Sequence, residues 1–209
     1  MQNQASLFEV SKEAINIADG QLDYYSNWLG DDEADALFVL LKEQVKWQQS
    51  TINLYGKTVK IPRLNAWYGD ENCPYEYSGH KFQPKPWLPC LKEIQQRVER
   101  LTTFSANSVL VNCYRNGQDS VAWHSDDEPE LGRNPTVISL SLGGEREFQL
   151  KHRYDKSLGV KKIKLSHGSL LVMSGELQHH WHHQVPKTAK NCAERINLTY
   201  RYVLPALAQ

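Results

Sequence analysis

Hydrophobic positions recur at helical spacing in two segments of the N-terminal half. The segment 31–49 opens with acidic residues, and Leu37, Leu41 and Val45 follow at intervals of four. Because carboxylates are favourable at the positive end of a helix, this pattern predicts an amphipathic helix. A second segment begins at Pro86 and repeats the helical spacing with four apolar residues on one face: Leu91, Ile94, Val98 and Leu101.

After about residue 106 the pattern changes to short runs rich in β-branched and aromatic residues. Turn-forming pairs separate these runs, among them Asn116-Gly117, Gly143-Gly144 and His167-Gly168. We predict strands at 108–114, 136–142, 146–150, 161–165, 169–173, 179–185 and 197–203. Closely spaced short strands without intervening helices are typical of a sandwich or barrel. The sequence therefore predicts an α+β protein, mainly β, with N-terminal helices packed on one β domain.

Composition narrows the class of protein only a little. The chain of 209 residues suits one domain, and its 24 basic and 24 acidic residues give no net charge. A nucleic-acid partner remains compatible with this balance, because a local basic face decides such binding. The four cysteines form no CxxC pair, which indicates reduced thiols. With no signal-peptide pattern and no membrane-length apolar run, we expect an intracellular protein, cytoplasmic in a bacterium or nuclear in a eukaryote.

A histidine and a carboxylate lie two positions apart in AWHSDDE, residues 122–128. Residues i and i+2 of an extended segment point to the same side, so His124 and Asp126 could share a metal ion. A second histidine from a distant strand would complete a facial set of two imidazoles and one carboxylate. Non-haem Fe(II) oxygenases use this set, which leaves coordination positions open. The H-x-D pair alone is weak evidence for a metal.

Four of the eight histidines lie in QHHWHHQVP, residues 178–186. Strand periodicity would place His179 and His183 on one face and His180 and His182 on the other. A straight strand therefore excludes a site made of all four, but the periodicity does not choose a ligand among them. An adventitious zinc or nickel site, or a polar strand without a metal, also fits this segment.

The segment RINLTYR, residues 195–201, places Arg195, Asn197, Thr199 and Arg201 on one strand face. Two guanidiniums pointing inward are costly to bury unless anions meet them. Arginine suits bidentate recognition of carboxylates, so a dicarboxylate co-substrate would use two such anchors. A solvated outer face is the alternative, and it becomes less attractive when the segment follows an H-x-D pair and a distal histidine in this order.

Together these motifs resemble those of the AlkB family of Fe(II)/2-oxoglutarate dioxygenases. The resemblance covers about residues 54–203 and includes VNCYRNG, where Asn112 and Tyr114 match the N-x-Y of the family. It implies a double-stranded β-helix, or jelly-roll, catalytic core at 106–204. It also implies an N-terminal helical layer and a nucleotide-recognition lid within 1–105, all in a single domain.

The resemblance also implies the roles of individual residues. Fe(II) would be held by His124, Asp126 and His183, because the distal histidine of the family precedes a pair that ends in a small turn residue or proline, as in H-x-V-P here. Arg195 would bind the far carboxylate of 2-oxoglutarate with Tyr114. The carboxylate nearer the metal would be steadied by Arg201, Asn112 and Asn197. Dioxygen is the third reactant.

The segment 62–79 resembles the nucleotide-recognition lid of family members that repair nucleic acids. An enzyme that acts on a base in a duplex must flip the base out and hold it by stacking, so we choose substrate-binding residues that could do this. They comprise an apolar wedge in NLYGK, a phosphate contact, three lid residues and two acids: Tyr55, Arg63, Tyr75, Tyr77, Ser78, Asp127 and Glu128. Basic residues at 151–162, Lys187 and Lys190 could also contact phosphates.

The resemblance thus implies a monomeric DNA-repair dioxygenase with no membrane partner. It would remove methyl groups from N1-methyladenine and N3-methylcytosine in double-stranded DNA with a flipped base, releasing formaldehyde and succinate. Two alternatives remain: the same chemistry on RNA or a protein side chain, and a jelly roll that binds metal without oxidising anything.

Overall fold

The computed structural model describes residues 11–54, 56–71, 73, 75–77 and 80–204. In chain order the strands are β1 (Lys12–Ala14), β2 (Gln21–Tyr25), β3 (Thr51–Leu54), β4 (Lys57–Lys60), β5 (Leu64–Gly69), β6 (Tyr75–Tyr77), β7 (His80–Phe82), β8 (Ser108–Tyr114), β9 (Val121–His124), β10 (Val137–Gly143), β11 (Arg146–His152), β12 (Val160–Leu165), β13 (Leu170–Ser174), β14 (Trp181–Val185) and β15 (Arg195–Arg201). The helices are α1 (Asp31–Gln44), α2 (Pro89–Thr102) and the short α3 (Leu177–His180).

Two antiparallel sheets build the core of the described chain. The larger has the strand order β1-β2-β13-β10-β15-β8-β5, and the smaller has the order β12-β11-β14-β9. Apolar side chains of both sheets pack together between them, including Phe148 and Leu165 from the small sheet and Leu171 and Met173 from the large one. The prediction of a mainly β protein with a jelly-roll core is therefore confirmed.

The two long helices cover the outer face of the large sheet. Leu37 and Leu41 of α1 and Leu91 and Val98 of α2 join the cluster that includes Leu140 of β10. Both helices end differently from the prediction. Helix α1 stops at Gln44, and α2 starts at Pro89 rather than Pro86, since a residue before proline is disfavoured in the α region. Among the described residues, no helix is long and apolar enough to cross a membrane.

Three strands of the large sheet come from the N-terminal half and were not predicted. Strands β1, β2 and β5 belong to the same large sheet as the strands of the C-terminal half. Position 105 therefore does not divide the fold, and the helical layer predicted for 1–105 also contains sheet strands. Strand β9, which ends at His124, was also missed because it is only four residues long.

The histidine-rich segment is only partly a strand. The prediction of a strand over 179–185 is wrong at its start, because His179 and His180 lie in α3 and the strand begins at Trp181. From there the period of two holds, since Trp181, His183 and Val185 are buried and the residues between them are partly exposed. The helical turn removes His179 from the face that carries His183.

Substitution of Gly168 tests whether the close approach of the backbone at this position requires glycine. Its φ is +71°, and an added Cβ would lie 2.4 Å from the carbonyl oxygen of Leu29, whereas Gly159, with φ +65°, has open space around it. We expect Gly159→Ala to cost about 1–2 kcal/mol from the left-handed conformation alone. Gly168→Ala should cost more than about 3 kcal/mol, because the backbone clash adds to that strain. Urea unfolding of both variants measures the difference, and equal losses would contradict it.

Candidate metal centre and anion pocket

Three potential metal ligands meet between the two sheets, where the end of β9 lies beside the middle of β14. His124 ends β9, Asp126 follows it by two residues, and His183 lies on the neighbouring β14, where its Cα pairs with that of His124. Their ligand atoms all lie within 4.8 Å of one another. The Asp126 Oδ2 and His183 Nε2 atoms are 3.8 Å apart, too far for a hydrogen bond, so the set has room for a shared ion.

The surrounding chain orients these ligands. The ring of His124 is held through Nδ1, which lies 2.8 Å from the carbonyl oxygen of Ala122, leaving Nε2 to face a metal. Arg201 Nη2 donates to Asp126 Oδ1 at 2.7 Å, so that Oδ2 is the carboxylate oxygen toward the histidines. The backbone N–H of Asp126 donates to Gln178 Oε1 at 3.0 Å, which fixes the turn after β9.

The protonation states suit a divalent cation. Burial lowers the pKa of His183 to about 3 and also lowers the pKa of His124, so both imidazoles are neutral at neutral pH. Burial alone would raise the pKa of Asp126. The nearby Arg201, His183 and His124 outweigh that effect and lower the pKa to about 2. Two neutral imidazoles and one carboxylate form the deprotonated set that a metal requires.

Arg195 lies on the inward face of β15 with its guanidinium inside the protein. Only 1% of the residue is exposed, and its Nη2 donates to Ser141 Oγ at 2.9 Å. The Nε and Nη1 atoms are buried and have no hydrogen-bond partner of normal geometry among the described residues, although the Tyr114 side chain interacts with the guanidinium. Burial lowers the pKa of Arg195 to about 10, so the group is still charged at neutral pH. A buried charge with unused donors calls for a carboxylate ligand.

The other predicted co-substrate residues line the same cavity. Tyr114 lies against Arg195, with 5.1 Å between its ring centroid and the guanidinium carbon. Asn112 and Asn197 are paired across β8 and β15, and Asn197 Nδ2 donates to Ser139 Oγ at 2.8 Å. The structure thus brings the metal set and all five predicted co-substrate residues into one cavity.

The buried charges of this region favour an anion. Among the described residues, the buried arginines and carboxylic acids are Arg63, Arg146, Arg195, Arg201, Asp119 and Asp126. Four guanidiniums and two carboxylates leave a surplus of two positive charges, a bound Fe(II) ion would add two more, and a dicarboxylate would offset part of this excess. The residues present therefore fit both an Fe(II) ion and 2-oxoglutarate.

Arg63 has a different environment from the one predicted. It is 7% exposed, and its guanidinium donates to Asn112 Oδ1 at 2.9 Å and to the Ser120 carbonyl oxygen at 3.3 Å. A phosphate contact on the protein surface does not fit this environment, because Arg63 is buried and its Nε and Nη1 donate inside the protein. It lines the cavity beside the co-substrate residues instead.

The remaining predicted substrate residues are only partly described. Tyr55 and Ser78 lie outside the described residues, as do the side chains of Tyr75 and Tyr77, whose backbone forms β6. Asp127 is exposed and forms an ion pair with Arg153 at 2.8 Å. Neither Asp127 nor Glu128 is among the described residues that line the cavity.

Two serines of β10 were not predicted as part of the site. Ser139 lines the cavity, and Ser141 accepts a hydrogen bond from Arg195. The alternation of serine with apolar residues in VISLSL could have indicated a polar inner face. Residues of the segment 48–52 also line the cavity, but the segment contains no chemical motif that would have predicted this.

The other three histidines of the cluster have local partners. His179 Nε2 accepts the backbone N–H of Asn134 at 3.3 Å, and His182 Nδ1 lies 3.1 Å from Ser125 Oγ. His180 Nε2 is 3.7 Å from a carboxylate oxygen of Glu176. Each one is therefore accounted for by a contact outside the metal set.

His180 also belongs to a second group of potential ligands, with Asp19 and His152. However, His152 Nδ1 accepts the backbone N–H groups of Tyr154 and Asp155, at 3.3 and 2.8 Å. The proton of the neutral ring therefore sits on Nε2, which faces Asp19 at 3.2 Å. A metal would have to displace that proton, so hydrogen bonding explains this cluster better than a metal.

Comparison with known proteins agrees with this geometry. The model of the 2OG-Fe(II) oxygenase superfamily matches residues 21–201. The chain therefore belongs to this superfamily, and it uses Fe(II), 2-oxoglutarate and dioxygen.

Two curated relatives show to which family within the superfamily the chain belongs. The human alpha-ketoglutarate-dependent dioxygenase alkB homolog 3 is 38% identical over 97% of this chain and 72% of its own length. The bovine DNA oxidative demethylase ALKBH2 is 37% identical over 87% of this chain and 68% of its own length. Within the superfamily the chain is a member of the AlkB family of dioxygenases.

A solved structure supports the fold alone. The structure described as that of OsALKBH1 covers 91% of this chain and 100% of its own, with a TM-score of 0.62 and 20% identity.

Replacing His183 and His182 one at a time distinguishes a metal ligand from a residue that only packs beside the site. We expect His183→Ala to lower Fe(II)-dependent succinate release more than about 100-fold, since even residues that only support metal ligands are worth 10- to 100-fold. His182→Ala should lose less than about tenfold, because its ring contacts Ser125 outside the metal set. Metal content after dialysis against Fe(II) under anaerobic conditions gives an independent measurement. Equal losses in both variants would show that the ligand is assigned wrongly.

Proposed function

We propose that this protein repairs DNA by oxidative demethylation of N-alkylated bases such as N1-methyladenine and N3-methylcytosine. The observation that carries the proposal is a single cavity that contains both the metal set and a buried arginine with unused donors. Two relatives are 38% and 37% identical to this chain, and the second of them is a DNA oxidative demethylase.

The chemistry that Fe(II), 2-oxoglutarate and dioxygen supply together is oxidative decarboxylation. One oxygen atom enters succinate, carbon dioxide leaves, and the second oxygen atom hydroxylates the methyl group. The hydroxymethyl adduct on the base nitrogen then breaks down to formaldehyde and the unmodified base. These products conserve all atoms and need no further reductant.

The chain positions these reactants. Arg195 would bind the far carboxylate of 2-oxoglutarate through Nε and Nη1. Arg201 holds the carboxylate of Asp126 in the position where it would face the metal. The apolar side chains of Phe148, Val121 and Val185 line the same cavity and limit the access of water to the reacting atoms. The protein thus contributes orientation and desolvation.

Residues before the jelly roll border the cavity and could receive a base. Ser50, Thr51, Ile52 and Ile61 line it. Thr51 and Ile52 belong to β3, and Ser50 and Ile61 flank the hairpin of β3 and β4. A base that leaves the duplex would pass this segment on its way to the metal. The hairpin also carries the predicted wedge residue Tyr55, which would fill the gap left by the flipped base.

The hairpin of β11 and β12 offers a basic surface for phosphates. Residues 151–162 contain five basic residues and one acidic residue, in a chain with no net charge. Tyr154 on this hairpin is 68% exposed, and Lys151 Nζ lies 4.4 Å from the ring centroid of Trp123, the residue before His124. A basic surface with aromatic rings close to the metal set favours a nucleic acid over a small-molecule substrate.

The decisive experiment compares substrates directly. Formaldehyde and succinate are measured with N1-methyladenine and N3-methylcytosine in double-stranded DNA, single-stranded DNA and RNA of one sequence, and with methylated peptides. We expect release with methylated DNA, highest with the duplex. Activity confined to RNA or peptides would overturn the DNA assignment. A protein that binds metal but releases no succinate with any substrate would be a non-catalytic module.

Tyr55→Ala tests the wedge. We expect a loss of about tenfold or more in kcat/KM on duplex DNA, because unstacking a base costs a few kcal/mol, and a loss below about threefold on single-stranded DNA. The matched control is Val59→Ala on β4 of the same hairpin, where the side chain is partly exposed. Equal losses on both DNA forms would refute the wedge.

A further inference from the structure

Two buried guanidiniums lie against the ring of Tyr114. The guanidinium carbon of Arg195 is 5.1 Å from the ring centroid, and that of Arg146 is 5.6 Å away. Arg195 lines the cavity, whereas Arg146 is not among the described residues that do so. Arg146 therefore contacts the anion pocket only through other residues.

Arg146 joins three segments of backbone. It begins β11, is 3% exposed, and donates through Nη1 to the Asn116 carbonyl oxygen at 3.2 Å and through Nη2 to those of Asp119 and Pro186 at 2.9 and 2.6 Å. The first two carbonyls follow the end of β8 in the large sheet, and the third follows β14 in the small sheet. The guanidinium therefore links the sheets where the strands of Tyr114 and His183 end.

The charge of Arg146 acts on the same pocket. Among the described residues, it makes no hydrogen bond to a carboxylate, because both oxygens of Asp119 are bonded to Arg115, at 2.7 and 2.8 Å. Burial lowers the pKa of Arg195, and the charge of Arg146 lowers it further. The same repulsion makes an anion beside Arg195 more favourable.

We propose that Arg146 is a positioning residue that sets the affinity for 2-oxoglutarate without touching it. It holds Tyr114 beside Arg195, fixes the two strand ends, and adds positive potential at the far carboxylate. The inference rests on the assignment of Arg195 and Tyr114 to the co-substrate in the proposed function.

A purely structural link would behave differently from a positioning residue. Loss of a structural link lowers thermal stability and the amount of active enzyme, so kcat falls while KM for 2-oxoglutarate stays the same. Loss of a positioning residue raises KM and Kd for 2-oxoglutarate, and saturating co-substrate restores the rate. A variant that keeps the positive charge should also keep part of the affinity.

The test uses Arg146→Gln and Arg146→Lys in the full chain. Steady-state rates give kcat and KM for 2-oxoglutarate, and calorimetry gives Kd for 2-oxoglutarate with Mn(II)-loaded protein. We expect Arg146→Gln to raise Kd and KM about 10- to 100-fold and Arg146→Lys by less, with kcat at saturation within about threefold of wild type. If Arg146→Gln does not fold, Arg146→Lys carries the test.

The matched control is Arg115→Gln. Arg115 binds Asp119 in the same turn, but its side chain is 43% exposed and is not among the groups found against Tyr114. We expect a Kd for 2-oxoglutarate within about twofold of wild type for this variant. Folded Arg146 variants with unchanged Kd and KM would overturn the proposal. A wild-type protein that does not bind 2-oxoglutarate would instead refute the assignment of Arg195 and Tyr114.

Discussion

The ion pair between Arg201 and Asp126 joins the two halves of the active site. It spans 2.7 Å between residues that are each about 5% exposed or less, and it connects β15 of the large sheet to the turn after β9 of the small one. Removing either partner would leave an uncompensated buried charge. Because Asp126 is held from the side of the large sheet, the metal set and the anion pocket have a defined relative position.

The rest of the fold serves this arrangement. Helices α1 and α2 cover the outer face of the large sheet, so its inner face can carry polar groups such as Asn112, Asn197 and Ser141 without losing the apolar core. Those groups are hydrogen-bonded to their neighbours where they are not directed at a ligand. The main exception is Arg195, and its unused donors define the place of the carboxylate.

Local pattern was most informative where a motif lies on one strand. The RINLTYR face was readable because residues two apart point the same way. In β15 the polar residues line the cavity, while Ile196, Leu198 and Tyr200 pack in the apolar core on the other face. Residues 179–180 were misread, since a short run of histidines does not distinguish a helical turn from a strand end. Arg63 was misread for a different reason: an arginine in a predicted lid gives no sign of whether its charge is used inside or outside the protein.

The sequence by itself determined the class of chemistry, because H-x-D, a distal histidine and two arginines on one face restrict the ligands to a metal and a dicarboxylate. It also determined the two long helices and most strands of the C-terminal half, through periodicity. Strand periodicity left the choice among the four histidines open, and the structure places His183, the one that the family resemblance implied, beside Asp126. Only the tertiary structure decided that Arg63 is internal and that β1, β2 and β5 extend the large sheet. These outcomes depend on pairing between strands far apart in the chain, and local spacing contains no information about such pairing.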